Sequence, residues 1–197
     1  MIERTTEQQL HIDACSLQIK HKSDRLMNYF LFGFFLLGIC FAFFYDTWYI
    51  AIGVGGLSLV GYYSAKKILP QSDLYQYVLS SVFAVFMAQY IFQMHGLFEM
   101  NFIAFIGSAI LITYQNWKLQ IPIAVAVIVH HALFGYLQFT GFDRIYFTQL
   151  GHMDLQTFII HALLASVIFL TCGLWSYEIK KNSKNHIEQS FEIARLQ

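Results

Sequence analysis

The sequence has few charges, few prolines and few cysteines. Only 12% of its 197 residues are Asp, Glu, Lys or Arg, about half the usual share in a soluble domain. Its three cysteines form neither a CxxC pair nor an even set, and we expect Cys40 and Cys172 to be small buried apolar residues. No nucleophile–base pair, phosphate-binding glycine loop or basic nucleic-acid patch is visible. We therefore expect neither an enzyme nor a nucleic-acid-binding protein.

Apolar residues make up 57% of the chain and are grouped in long blocks. A helix rises about 1.5 Å per residue and needs about 20 residues to cross the hydrocarbon core of a bilayer. The blocks predict an all-α integral membrane bundle of six transmembrane helices. Their predicted bounds are residues 26–45, 48–65, 74–93, 97–114, 119–138 and 155–177.

The segments on either side of the predicted bundle are polar. Residues 1–25 lack the short apolar core of a secretory signal, and Leu10, Ala14 and Leu17 permit an amphipathic helix on the membrane surface. Residues 178–197 are charged, contain no proline or glycine, and predict a cytoplasmic helix that leads toward an effector. The predicted organisation is thus a short N-terminal segment, a membrane domain over residues 26–177, and a linker helix.

Basic residues fix the orientation of the predicted spans. Lysines lie in alternate connections, at Lys66 and Lys67, at Lys118, and in the tail after residue 177. The other connections carry Asp46, His95 and the balanced pair of Asp143 and Arg144. Because cytoplasmic loops are enriched in Lys and Arg, both termini are predicted to be cytoplasmic. We expect a multi-pass protein of a bacterial inner membrane.

Polar side chains of four predicted spans fall at one depth in the outer leaflet. His131 lies seven residues before the outer end of the fifth span, roughly 10 Å deep at about 1.5 Å per residue. His161 lies at a similar depth in the sixth span, and Glu99 lies one helical turn into the fourth. The remaining members of this group are His95, at the outer turn, and Gln89 and Gln93 in the third span. Since such groups are unfavourable in hydrocarbon without partners, they predict a functional site.

Three interpretations of this group stay open. Histidine and carboxylate ligands suit zinc or iron, and the predicted metal ligands are His95, Glu99, His131 and His161. Alternatively, two histidines are the axial ligands of haem b in a redox sensor or an electron-transfer subunit. In the third interpretation, the polar side chains form a hydrogen-bonded network that only fastens the helices together.

Four short motifs are similar to those of a known membrane family. They are HGLFEMNF from His95, YQNW from Tyr114, HHALFGYLQ from His130, and IHA around His161. With the Asp24-Arg25-Leu26 start of the first span, they resemble a six-span bacterial sensory input domain over residues 24–177. That domain precedes chemotaxis transducers, histidine kinases, diguanylate cyclases and class III adenylate cyclases.

The resemblance implies a receptor or redox sensor whose output domain follows the last span. It implies that Glu99, His131 and His161 are the functional polar positions, with His95 aligned less closely, and it favours His131 over its neighbour His130. The chain departs from the family pattern at Asn101, where the family has histidine, and at Asn116, where it has aspartate. The change at position 101 removes one potential metal ligand.

The tail also predicts a homodimer. Ile187, Phe191 and Ala194 repeat at four-three spacing, which is typical of the start of a parallel two-stranded coil. The predicted partners are therefore the lipid bilayer, a second copy of the chain and a C-terminal effector.

Overall fold

The computed structural model describes residues 2–70, 72–142, 145–149 and 155–196 and is helical, without strands, over those ranges. The α-helices within them are α1 Ile2–Tyr45, α2 Trp48–Ile68, α3 Leu74–Gln93, α4 Phe102–Leu111, α5 Gln120–Phe139 and α6 Leu155–Leu196. Short 3-10 helices, Phe98–Asn101, Ile112–Tyr114 and Trp117–Leu119, lie on both sides of α4 and before α5. The predicted outer pair of Asp143 and Arg144 lies outside the described residues.

Four helices are long and apolar enough, by length and composition, to cross a membrane. They are α1, α3, α5 and α6. The stretch Phe98–Tyr114 is apolar but shorter, and α2 contains four glycines, two serines and two lysines within its 21 residues, which lower its hydropathy. The all-helical prediction is therefore confirmed for the described residues, whereas the six crossings stay a prediction.

The first and last helices continue far beyond the predicted spans. α1 is a single helix of 44 residues and α6 one of 42 residues. No proline or glycine precedes Gly33 in α1 or follows Gly173 in α6, so nothing in the sequence ends either helix at the membrane surface. Helix α1 is thus continuous from residue 2 through the predicted first span, and Leu10 and Leu17 are exposed. The amphipathic surface helix that the sequence permits stays a prediction.

The polar extensions of α1 and α6 beyond the predicted spans lie side by side. The rings of His11 and Phe191 are 5.6 Å apart between centroids, and Ile12, Ile19 and Ile187 are half-buried. The two helices run in opposite directions, because the start of α1 contacts the end of α6. Within one chain, therefore, Phe191 contacts α1, whereas we predicted that it contacts the same helix of a second copy.

The core of the bundle is centred on α3. Of the apolar span in α3, 67% is buried, against 11% of the span in α6. Phe34 of α1 packs edge-on against Phe83 and Phe86 of α3, and the Tyr90 hydroxyl donates a hydrogen bond to the Phe34 carbonyl. The two faces of α3 are thus enclosed by other helices, while α6 lies at the edge of the bundle.

Candidate functional site

Both ring nitrogens of His131 lie within hydrogen-bond distance of an oxygen that can only accept. Its Nδ1 lies 2.9 Å from the Val127 carbonyl oxygen, one helical turn earlier in α5. Its Nε2 lies 3.0 Å from Oδ1 of Asn101, in the 3-10 helix before α4. The side chain is buried, with 8% of its surface exposed. Because a carbonyl oxygen only accepts, Nδ1 carries the proton, and Nε2 points to the space between α4 and α5.

His161 of α6 meets His131 at this position. The two imidazole rings are nearly parallel, at 19°, and their centroids are 5.5 Å apart. Phe98 packs edge-on against His161 at 5.3 Å between ring centroids. Two of the four predicted ligands are thus brought together, and they come from the two helices that we expected to supply them.

The segment of residues 145–149 covers the pair from the outer end. Phe147 is buried, and its ring centroid lies 5.1 Å from that of His131. The amide of Gln138, the last residue of the HHALFGYLQ motif, fixes this segment. Its Oε1 accepts from the backbone nitrogens of Phe147 and Thr148, and its Nε2 donates to the Thr148 carbonyl, each at 2.9 Å. The motif therefore supplies both a site residue and the anchor of the segment that covers it.

His95 does not join the pair. Its ring is stacked between Tyr45 and Tyr146, with centroids 3.9 and 4.0 Å away. Its backbone has a positive φ of 50° and is followed by Gly96 at 80°. This left-handed turn brings Gly96 against Thr148, where a Cβ atom would lie 2.7 Å from backbone. His95 thus forms part of the contact between the turn after α3 and the covering segment.

Glu99 is exposed, in the 3-10 helix that also carries Asn101. No group of three His, Cys, Asp or Glu side chains that would hold a metal ion occurs among the described residues. In this conformation the four predicted ligands do not form one coordination sphere, and a carboxylate must turn inward to join the two histidines.

The neighbouring His130 faces a different environment. It is 9% exposed, its ring stacks on Phe134 at 4.5 Å between centroids, and its Nδ1 is buried without a hydrogen-bond partner in the described structure. Both adjacent histidines are therefore buried, but only His131 is oriented by hydrogen bonds toward α4 and packed against His161.

Gln89 and Gln93 serve the packing of α3 against α1. Nε2 of Gln93 donates to the Gly38 carbonyl at 2.9 Å and to Thr47 Oγ1 at 3.1 Å, and Gln89 donates to Gln93. These contacts lie on the side of α3 that faces α1 and α2. We predicted that polar side chains of four helices meet at one depth. In the structure they form two separate groups, the glutamine network between α3 and α1 and the pair of His131 and His161.

The chemistry of the pair suits a small cation better than a macrocycle. A histidine that donates Nδ1–H to a backbone carbonyl presents the Nε2 lone pair, the usual second-shell arrangement of a metal-ligating imidazole. Asn101 also donates Nδ2 to the Phe98 carbonyl at 2.8 Å, so its oxygen faces Nε2. A neutral ring donates to only one of these two oxygens, and donation to Val127 leaves the Nε2 lone pair for a cation. The direct contact of the two rings leaves no space for a porphyrin between them.

A second buried polar cluster lies at the opposite end of the bundle, which we predicted to be cytoplasmic. Asp24, 8% exposed, accepts hydrogen bonds from Tyr75 at 2.9 and 3.0 Å and from Tyr114 at 2.6 Å. Lys66 Nζ forms an ion pair with it at 3.0 Å. Four segments of the chain thus meet at one carboxylate. The sequence offered one signal, a carboxylate at the start of an apolar span with tyrosine and lysine at the same end of neighbouring spans.

No family model matches the chain, and no curated protein or solved structure matches it. The resemblance of the four motifs to a sensory input domain therefore stays a prediction.

Proposed function

We propose that this chain is a sensor input domain of a bacterial inner membrane, which crosses the bilayer six times and has both ends in the cytoplasm. It binds a small ligand, a zinc or iron ion by the chemistry of the side chains, beside His131 and His161 in the outer leaflet. The observation that carries the proposal is the position of His161, because it lies on the same unbroken helix that ends at Leu196 in the cytoplasm.

The light packing of α6 supports its role as the transmitting helix. Only 11% of its apolar span is buried, the smallest share among the four candidate spans. A helix with few buried contacts can shift or rotate without breaking a close-packed core, whereas α3 cannot. A displacement at His161 reaches the cytoplasm because helical hydrogen bonds continue without interruption along α6.

The ligand acts by binding one arrangement of α5 and α6 more tightly than the other. The His131 and His161 side chains supply the first two ligands, and Glu99 supplies a third when the 3-10 helix turns it inward. A bound ion shifts the two-state equilibrium only by its difference in affinity. Asn101 lies in the same short helix as Glu99, and its Oδ1 contacts Nε2 of His131. Replacement of that contact by a bond from Nε2 to the metal ion therefore couples α4 to α5 and α6.

A zinc titration of the detergent-purified, chelator-treated protein tests this proposal. Isothermal titration calorimetry would compare the natural chain with H131A, H161A and the matched control L163A, which shortens an exposed side chain of α6. We expect each histidine change to weaken zinc binding by at least about tenfold, since even changes in outer-shell partners weaken it about 10–100-fold. Equal zinc affinity in the natural chain and H161A would overturn the proposed site.

A further inference from the structure

An apolar groove runs between α5 and α6 at their cytoplasmic ends. Trp117 and Tyr177 border it at the membrane surface, and Ala124, Phe169 and Gly173 line it farther in. Its volume is about 540 Å³, within the range of about 300–1,000 Å³ typical of small-molecule sites. This α5–α6 groove lies at the other end of these helices from His131 and His161, so it is separate from the histidine site.

Small residues keep the groove open. A Cβ atom added at Gly173 would lie 3.7 Å from Cγ of Gln120, and no other described atom outside the neighbouring residues and the backbone of α6 is within 4 Å. Helix α6 therefore has a notch that faces α5. The amide of Gln120 is bonded on both sides to Ser108, through Oε1 at 2.5 Å from the Ser108 hydroxyl and Nε2 at 3.1 Å from its carbonyl. Its polar end is therefore satisfied inside the bundle, and the groove presents an apolar surface.

Aromatic residues border the groove, and lysines lie close to them in the sequence. Lys118 follows Trp117, and Lys181 lies one helical turn after Tyr177, on the same face of α6. With Lys180, these three lysines outnumber the one nearby acid, Glu178. An apolar cleft in the membrane below Trp, Tyr and Lys complements an acyl chain below an anionic headgroup.

Apolar side chains line most of the groove, and its volume of about 540 Å³ accommodates a single flexible hydrocarbon chain. We propose that the α5–α6 groove binds one acyl chain of an anionic phospholipid, whose headgroup contacts Lys118 and Lys181. This site does not depend on the proposed sensor function.

Trp117 provides a direct probe of the site. The chain has three tryptophans, so W48F/W175F leaves Trp117 as the only tryptophan, which is excited selectively at wavelengths that tyrosine does not absorb. This variant would be placed in phosphatidylcholine vesicles that contain equal small fractions of brominated phosphatidylglycerol or brominated phosphatidylcholine. We expect stronger quenching by the anionic lipid, with a preference that falls about fivefold for each of K118Q and K181Q, as expected for one lysine near a charged headgroup.

Matched variants separate the site from general charge and from misfolding. K67Q removes an exposed lysine at the same membrane surface but on α2, and it should leave the preference unchanged. G173L and A124L each fill the groove, and either one with native helicity by circular dichroism should reduce quenching by both lipids. Equal quenching by the two lipids in the parent variant would overturn the proposal. Quenching by neither lipid, in a chain that is dimeric in detergent, would assign the groove to a second copy and overturn it as well.

Discussion

The imidazole rings of His131 and His161 face each other at 5.5 Å between α5 and α6. This contact joins a helix held in the bundle to a helix at its edge. His131 is buried, donates a hydrogen bond to the Val127 carbonyl and contacts Asn101, so it is the rigid half of the pair. His161 lies on the lightly packed α6 and is the half that can move. The proposed mechanism depends on this asymmetry.

Asn101→His should strengthen metal binding. The Asn101 side chain lies 3.0 Å from Nε2 of His131, so an imidazole at position 101 adds a third nitrogen ligand. Three protein ligands with one open position are usual in catalytic zinc sites. We expect zinc affinity to rise by at least about tenfold, by comparison with the 10–100-fold effects of outer-shell changes. Calorimetry measures it, with N101A as the control that removes the hydrogen bond without adding a ligand. A histidine variant no tighter than N101A would place residue 101 outside the coordination sphere.

Tyr114→Phe should destabilise the end of the bundle that holds Asp24. The change removes the 2.6 Å hydrogen bond to Asp24, and a hydrogen bond to a charged group contributes about 1.5–3 kcal/mol. Thermal unfolding in detergent would show a lower midpoint. Tyr29→Phe removes an exposed hydroxyl on α1 and should leave the midpoint unchanged. Equal midpoints for the two variants would mean that the Asp24 cluster adds nothing to stability.

Gly96→Ala should loosen the segment that covers the histidine pair. The added Cβ would lie 2.7–2.8 Å from the backbone of Thr148, and the φ of 80° is unfavourable for alanine. Gly141 has the same φ of 80° but no neighbour within 4 Å, so Gly141→Ala reports the backbone strain alone, about 1–2 kcal/mol. We expect a larger loss of unfolding free energy and faster amide exchange at residues 145–149 for Gly96→Ala than for Gly141→Ala. Identical behaviour of the two variants would contradict the described contact with Thr148.

A cross-link between α1 and α6 should form within one chain. The rings of His11 and Phe191 are 5.6 Å apart, so the thiols of H11C/F191C, with the three natural cysteines replaced by serine, should be joined by a short bismaleimide. L10C/F191C is the control, because Leu10 is exposed. Gel mobility under non-reducing conditions separates intrachain from interchain products. A purely interchain product would favour the predicted coil between two copies.

The position of helices along the chain could be predicted from the sequence, whereas the rotation of each helix about its axis could not. Long apolar blocks define helices well, so the bounds of α3 agree with the predicted span, residues 74–93. Helical depth alone placed His131 and His161 near each other. Rotation about the helix axis is set by packing, and apolar blocks carry little information about it. Gln93 therefore faces Gly38, away from the pair.

Turn geometry explains the position of His95. We predicted that His95 and Glu99 are ligands of one site, but α3 ends at Gln93 and a left-handed turn separates the two residues. The ring is thereby directed between Tyr45 and Tyr146. The contacts of Asp24 could not be predicted from a local pattern either. Its partners Tyr75 and Tyr114 lie 51 and 90 residues away along the chain.

The most direct test measures whether occupancy of the histidine pair moves α6. Spin labels at K67C and K184C, in a background with the natural cysteines replaced by serine, report the distance between the end of α2 and the polar extension of α6. Pulsed electron–electron double resonance would compare the zinc-free and zinc-saturated protein, with and without H161A. We predict that zinc shifts the distance distribution between the two labels in the natural background and leaves it unchanged in H161A. Zinc binding without any change in that distribution would contradict transmission through α6.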